Sequence, residues 1–156
     1  MNQKDKLLEK EFITKAENGD LEGLENLFET TKPISKTIIN QGLISLCRNY
    51  KTFGHYENCL NLLLRKKADI NSKSKNNGQT PLMICAWRGC SDLVRALLER
   101  GARINIKDNH NKSALFYAVE SDHGENTNIV SMFLENSSEV NYINKNKVSK
   151  ESLPYF

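Results

Sequence analysis

Residues 78–105 read GQTPLMICAWRGCSDLVRALLERGARIN, and this stretch decides the fold. Thr80 followed by Pro81 marks a helix start, because Thr accepts hydrogen bonds from open amides and Pro is favoured at the first helical position. The apolar run that follows ends at Gly89, and a second segment with one apolar face ends at Gly101. The stretch predicts two short helices, neither long enough to bury its apolar face without neighbours.

The same pattern recurs at a fixed distance along the chain. Thr80 and a second helix start at Ser113 lie 33 residues apart, and a period of this length is the signature of a stacked repeat. A closing phrase also occurs three times: Asp69-Ile70-Asn71, Arg103-Ile104-Asn105 and Glu139-Val140-Asn141. Because each repeat would contact only its neighbours, we expect a solenoid.

These residues resemble the ankyrin repeat, whose motif runs roughly DxxGxTPLHxAAxxGHxxVVxLLLxxGADVN. Residues 76–108 match it best, at both Gly positions and at Thr-Pro-Leu, Ala, Leu-Val, Leu-Leu and Gly-Ala. The resemblance implies an all-α ankyrin-repeat solenoid of about four stacked helix-turn-helix units with short β-hairpin turns. We expect a single domain over residues 1–156, with units at about 5–35, 36–75, 76–108 and 109–142 and a partial cap at 143–156.

The other units depart from the motif. No closing phrase follows the first helix pair, so we expect its hairpin to be missing or altered. Lys67 and Asn111 stand where the motif has Gly, and Asn tolerates the left-handed conformation that such a turn needs. Residues 51–56 and 122–127 are longer than the motif allows, and we expect both loops at the inter-helix end of the stack. Whether the final residues cap unit four or the chain is a piece of a longer array stays open.

Charge is unevenly distributed along the 156 residues. Four of the 22 Lys and Arg but eight of the 19 Asp and Glu lie within residues 1–30, so this stretch carries −4 and the rest +7. The basic excess of the later units suits an anionic partner surface, and it equally suits a solvated lysine-rich surface.

Cysteine usage and hydropathy bear on the compartment. The cysteines lack zinc-site spacing and contain no Cys-x-x-Cys: they are Cys47, Cys59, Cys85 and Cys90. The N-terminus has no secretory core segment, and no apolar run approaches the roughly 20 residues of a membrane span. We therefore expect reduced core thiols in a cytoplasmic or nuclear protein that does not enter a membrane.

Catalytic patterns are missing from the sequence. The histidines, His55, His110 and His123, fall in different units, and none has a catalytic partner at a recognised spacing. No Gly-rich phosphate loop and no zinc-protease helix motif occurs. We expect no enzyme activity, no cofactor and no metal site.

The ankyrin resemblance implies a monomeric protein-interaction module that binds a partner protein through its concave face and hairpin tips. The variable positions of the motif are the implied contacts: Asn76, Asn77, Gln79, Trp87, Arg88, Asn109, His110, Lys112, Glu120 and Ser121. Lysines in or beside the hairpin turns form a predicted basic strip with Lys112: Lys73, Lys75, Lys107, Lys145 and Lys147. An acidic segment would suit this strip, and binding of nucleic acid or another polyanion is the alternative, although no nucleic-acid motif accompanies the lysines.

Trp87 is the contact residue with two interpretations. It precedes Arg88-Gly89 at the end of its helix, at a position that faces outward in the motif. Trp and Arg are enriched among residues that dominate binding energy, so Trp87 could anchor a partner. It could equally pack sideways on the neighbouring unit with its indole partly covered.

Overall fold

The computed structural model describes residues 3–31, 33–51, 55–121 and 127–137, and within these ranges the chain is helical with no β-strand. The helices are α1 (Gln3–Glu17), α2 (Leu21–Thr30), α3 (Lys36–Arg48), α4 (Tyr56–Arg65), α5 (Pro81–Trp87), α6 (Ser91–Glu99), α7 (Ala114–Glu120) and α8 (127–137). They follow one another as four consecutive pairs. The predicted all-α repeat fold is therefore confirmed.

The helices form two layers. In the inner layer α1 packs on α3, α3 on α5, and α5 on α7, while α2, α4 and α6 each pack on the inner helix of their own pair and form the outer layer. One cluster of buried apolar side chains runs between the layers from Phe12 to Phe133. The apolar pattern of the sequence predicts one continuous core at the interfaces of units two, three and four, and its residues all belong to this cluster. They are either buried (Leu63, Leu82, Leu97, Phe133) or packed at its edge (Leu64, Leu98, Leu115).

Hydroxyl side chains begin the inner helices where the sequence predicts. The Thr80 hydroxyl accepts a hydrogen bond from the Met83 amide at 3.4 Å, and Ser113 accepts from the Phe116 amide at 3.4 Å. Met83 stands at the His position of the motif. Its sulfur accepts the Thr80 amide at 3.4 Å, so a thioether completes the cap in unit three.

Four helices end in the same way, with a residue in the left-handed conformation and a backbone hydrogen bond that closes the last turn. The residue is glycine at positions 19, 89 and 101, but it is Lys67 after α4, with φ +72°. The next amide then bonds a carbonyl five residues back, as from Ala68 to Leu63 and from Ala102 to Leu97. The motif therefore forces a lysine into a conformation that costs L-residues about 1–2 kcal/mol.

Two projecting turns, finger 1 (residues 69–79) and finger 2 (residues 103–112), connect the pairs. Neither finger contains a β-strand, although the sequence predicts β-hairpins there, because few backbone hydrogen bonds close each turn. The Ser74 amide donates to the Gln79 carbonyl, and the Asp108 amide donates to the Lys112 carbonyl. Asn111 has φ +61°, so it does take the left-handed conformation of the motif glycine. The third closing phrase predicts a further hairpin at 141–147, which lies outside the described residues.

The fingers are joined by an asparagine at a repeated motif position. The Asn71 side chain accepts the Arg103 amide at 2.9 Å, so finger 1 holds finger 2. Asp69 is the counterpart of Arg103 in finger 1, and its amide donates to the Asn40 side chain of α3 at 2.8 Å. Unit one has only residues 31–35 between α2 and α3. Asn40 thus replaces the acceptor that a finger of unit one would have supplied.

A buried tyrosine ties units one and two together. The Tyr56 hydroxyl, at the start of α4, lies 3.1 Å from the carbonyl of Glu17 and 3.1 Å from that of Asn49. These carbonyls end α1 and follow α3, so one hydroxyl serves the ends of two inner helices. Gly19 passes directly over the ring, since a Cβ there would lie 3.0 Å from it.

Candidate partner-binding surface

The predicted contact residues lie on the fingers and on the inner layer, but not all of them present free side chains. Six are exposed: Asn76, Trp87, Arg88, Asn109, His110 and Glu120. Asn77, Gln79 and Lys112 are half-buried, because each contacts another residue of finger 1 or of α7. The Asn77 side chain, for example, accepts the Ser74 hydroxyl at 2.5 Å, and the Asn77 carbonyl accepts the Asn109 amide at 3.0 Å.

The prediction that Ser121 contacts a partner is wrong. It is buried, and its hydroxyl donates to the Trp87 carbonyl at 2.6 Å. That bond joins the end of α7 to the end of α5 across the repeat boundary. Ser121 therefore positions Trp87 and does not offer its own hydroxyl to a partner.

Trp87 packs on the neighbouring unit and also remains partly exposed. Its ring lies edge-to-face on Tyr117 of the next unit, with centroids 6.1 Å apart and an interplanar angle of 84°. It nevertheless keeps 47% of its surface exposed. One side of the indole is fixed by the neighbour and the rest faces solvent. A ring held in this way loses little conformational freedom when a partner covers it.

Tyr117 also anchors finger 2. Its hydroxyl donates to the Asp108 carboxylate at 2.5 Å, and the same carboxylate accepts the amides of His110 and Lys112 at 2.8 Å each. Burial on its own raises the pKa of Asp108, but these hydrogen bonds outweigh it and the pKa lies below the ordinary value of 3.8. Burial, together with the bond to Asp108, raises the pKa of Tyr117. One charged group therefore holds finger 2 to α7.

An aromatic row crosses the junction of units three and four, and it consists of Trp87, Tyr117 and Phe116. The Phe116 ring lies edge-to-face on Tyr117 at 5.9 Å, and the Lys112 ammonium lies 4.5 Å from the Phe116 centroid. Phe116 was not among the sequence-predicted contacts. The available signal was a large aromatic residue at the position where the motif has His.

The basic strip is partly tied to the protein itself. The Lys73 ammonium donates to the Lys107 carbonyl at 2.7 Å, which links the two fingers a second time. With the Gln41 amide oriented so that both of its ends are satisfied, its nitrogen donates to Glu9 at 2.7 Å and its oxygen accepts from Lys75. The Lys75 ammonium is thus held by a side chain of α3, on the same amide that contacts Glu9. Lys145 and Lys147 lie outside the described residues.

All four cysteines are buried, and none of them is in a disulfide. Burial, reinforced by the nearby Asp20 and Glu25, raises the pKa of Cys59 to about 11. Burial and a hydrogen bond with Cys47 also raise the pKa of Cys85. Thiols are nucleophiles only as thiolates, so these two groups are poorly reactive at neutral pH.

Over residues 3–31, 33–51, 55–121 and 127–137, no group of three or more His, Cys, Asp or Glu side chains is placed to hold a metal ion. None of the helices in those same ranges is long and apolar enough to cross a membrane.

Comparison with known proteins agrees with the architecture. The family profile described as "Ankyrin repeats (3 copies)" matches residues 13–108 and 43–144. Protein FPV230 of fowlpox virus (strain NVSL), named as an ankyrin repeat protein, is 47% identical over 58 residues, which are 37% of this chain and 30% of that protein.

Two cellular proteins are also similar. Human Rabankyrin-5 is 33% identical over 73 residues, which cover 40% of this chain and 6% of its own length. Protein HOS4 of Saccharomyces cerevisiae is 29% identical over 130 residues, covering 79% of this chain and 12% of its own length. The chain thus spans less than a third of each of these relatives. Ankyrin repeats generally mediate protein–protein interaction and are generally not enzymes. The helix pairs, the fingers and the profile match together show that this chain belongs to the ankyrin repeat family.

Proposed function

We propose that this protein binds a partner protein through its concave face and fingers, with an acidic segment of the partner along the basic fingers and an apolar side chain on Trp87. The observation that carries the proposal is Trp87 itself, which is half exposed at a variable motif position and is held in place by Tyr117. Tryptophan is enriched among residues that dominate binding energy, and a pre-oriented ring lowers the entropic cost of binding.

Charge supports an acidic partner segment. Arg88 adjoins Trp87 on the exposed side, and Lys73, Lys107 and Lys112 lie on or beside the fingers. Finger 2 has one carboxylate, Asp108. Its side chain is buried, and its oxygens accept hydrogen bonds from the protein itself. The solvent therefore meets mainly positive charge at this end of the fingers, which favours encounter with negative segments.

Affinity capture from a cell lysate followed by mass spectrometry tests the proposal. Wild type is compared with Trp87→Ala and with Leu134→Ala, which removes a comparably exposed apolar side chain from α8. Proteins retained by wild type and Leu134→Ala but lost with Trp87→Ala would be the partners. A capture profile that Trp87→Ala leaves unchanged would contradict the proposal.

Binding kinetics with a captured partner separate the anchor from the charges. Trp87→Ala should mainly speed dissociation, by about 2 kcal/mol if Trp87 dominates the interface. Charge reversal at Lys73 and Lys107 should mainly slow association and flatten its dependence on salt. If binding ignores both changes but is lost when the loops at 51–56 or 122–127 are altered, those loops are the site and the concave face is not.

The proposal includes a monomer in the cytoplasm or nucleus. Four buried cysteines outside any disulfide support a reducing compartment, because disulfides form mainly in oxidising ones. Titration of thiols under denaturing, non-reducing conditions should find all four, and a pair that resists labelling would contradict this assignment.

A further inference from the structure

Equivalent positions of units three and four differ in how they are covered. Met83 and Ala86 of α5 are fully buried, since α7 packs against that helix. Their counterparts in α7 are Phe116 and Val119, which lie 33 residues further on. Phe116 is 38% exposed and Val119 is 65% exposed. Helix α7 therefore presents apolar side chains at positions where α5 presents none.

Phe116 is connected to Trp87 through the ring of Tyr117. The two steps of the aromatic row are 6.1 Å from Trp87 to Tyr117 and 5.9 Å from Tyr117 to Phe116, so the outer rings lie within about 12 Å of each other. An extended segment covers that distance in about four residues, at roughly 3.3 Å per residue. One short peptide can thus touch both ends of the row.

Charged side chains flank the row at both ends. Arg88 follows Trp87 directly and is exposed. The Lys112 ammonium sits at 4.5 Å over the Phe116 ring and is therefore held at the other end. Glu120 is the acidic neighbour, next to Val119. Two cations around an apolar row match a segment in which carboxylates flank apolar side chains.

We propose that Phe116 and Val119 form a second apolar subsite beside Trp87, and that the partner segment carries at least two apolar residues between acidic ones. This inference rests on the proposed function, and it names the partner's chemistry. The apolar residues lie along the aromatic row, while the flanking carboxylates pair with Arg88 and Lys112. Charge alone then selects poorly, and an acidic segment without apolar residues binds weakly.

Two peptides test this chemistry on the full chain: acetyl-Asp-Glu-Leu-Leu-Asp-Glu-amide and a charge-matched peptide with Ser-Ser in place of Leu-Leu. Trp87 is the single tryptophan, so its fluorescence reports the site directly. The Leu peptide should bind at least about tenfold more tightly and shift the emission to the blue, because covering apolar surface contributes roughly that much per side chain. Equal binding of the two peptides would overturn the inference.

Variants locate the subsite. Phe116→Ala should remove most of the preference for the Leu peptide, whereas Leu134→Ala, an exposed apolar residue of α8, should leave it intact. If Phe116→Ala leaves the preference unchanged while Lys73→Glu with Lys107→Glu weakens both peptides, the subsite is wrong and the proposed function stands. If no variant and neither peptide has any effect and capture is also independent of Trp87, both are wrong.

Other occupants of this face give different results. If the chain itself covers Phe116, Phe116→Ala should lower the unfolding midpoint as much as a core truncation such as Leu97→Ala, and the peptides should not compete. If a second copy covers it, light scattering should show a dimer that Phe116→Ala converts to monomer. Either result overturns the inference.

Discussion

Fingers 1 and 2 occupy equivalent motif positions but close their turns with different chemistry. In finger 1, the neutral Ser74 hydroxyl accepts the Gln79 amide at 3.0 Å and donates to Asn77. In finger 2, the buried Asp108 carboxylate accepts two amides and the Tyr117 hydroxyl. The same turn can thus be closed by a hydroxyl or by a charge, and only the charged version also holds the following helix.

The largest expected effect is the loss of that charged group. Asp108→Ala leaves three donors without their acceptor, so the free energy of unfolding should fall by about 3 kcal/mol, against about 1 kcal/mol for Ser74→Ala. Urea denaturation of both variants measures the difference. Equal losses would show that the two fingers are energetically alike despite their chemistry.

The stability that finger 2 gains from Asp108 should depend on pH, whereas the contribution of Ser74 in finger 1 should not. The pKa of Asp108 is lower in the folded chain than its ordinary value of 3.8. Its stabilisation is therefore complete above that value and is lost as the pH falls through the lower folded pKa. The stability gap between wild type and Asp108→Ala should be constant near neutral pH and narrow below about pH 4. A gap for Ser74→Ala that narrows in the same way would mean that another carboxylate is responsible.

A smaller effect is expected for the asparagines on either side of finger 1. Asn71→Ala and Asn40→Ala each remove one acceptor, for the Arg103 and the Asp69 amide, and each should cost about 1 kcal/mol because the sites are exposed. Amide hydrogen exchange should rise at Arg103 in the first variant and at Asp69 in the second. If Asn40→Ala leaves Asp69 protected, Asn40 does not substitute for the finger that unit one lacks.

The smallest effect is a gain. Lys67→Gly relieves a left-handed lysine and should stabilise the chain by about 0.5–1 kcal/mol. Gly101→Ala is the reciprocal change at the equivalent position, where an added Cβ meets open space, so it should cost a similar amount through the backbone alone. Thermal unfolding of both variants should shift in opposite directions. A destabilised Lys67→Gly would mean that the Lys67 side chain contributes more than its backbone costs.

Local features of the fold were predictable because the motif encodes them residue by residue. Thr80, Ser113 and the left-handed Asn111 follow from short-range chemistry and occur as predicted. The absence of strands in the fingers was not predictable, since it depends on how few backbone bonds close each turn.

The candidate site was less predictable, since exposure depends on the neighbouring unit. Ser121 is buried because the Trp87 carbonyl lies within reach, and Lys75 meets Gln41 of another unit. Phe116 is 38% exposed, whereas Met83, at the same position of unit three, is buried where α7 packs on α5. A periodic pattern gives the position of a side chain within its unit, but it does not state which unit, if any, lies on top of it.

The Tyr56 hydroxyl has a consequence for the order of folding. It serves the carbonyls of Glu17 and Asn49 from a side chain at the start of α4, so the end of α1 is completed only when unit two is in place. An array with independent units could begin to fold at any of them. Here unit one depends on unit two for a buried hydrogen bond and also has no finger of its own. We therefore expect structure to spread toward the N-terminus, with unit one the last to form and the first to open under mild denaturant.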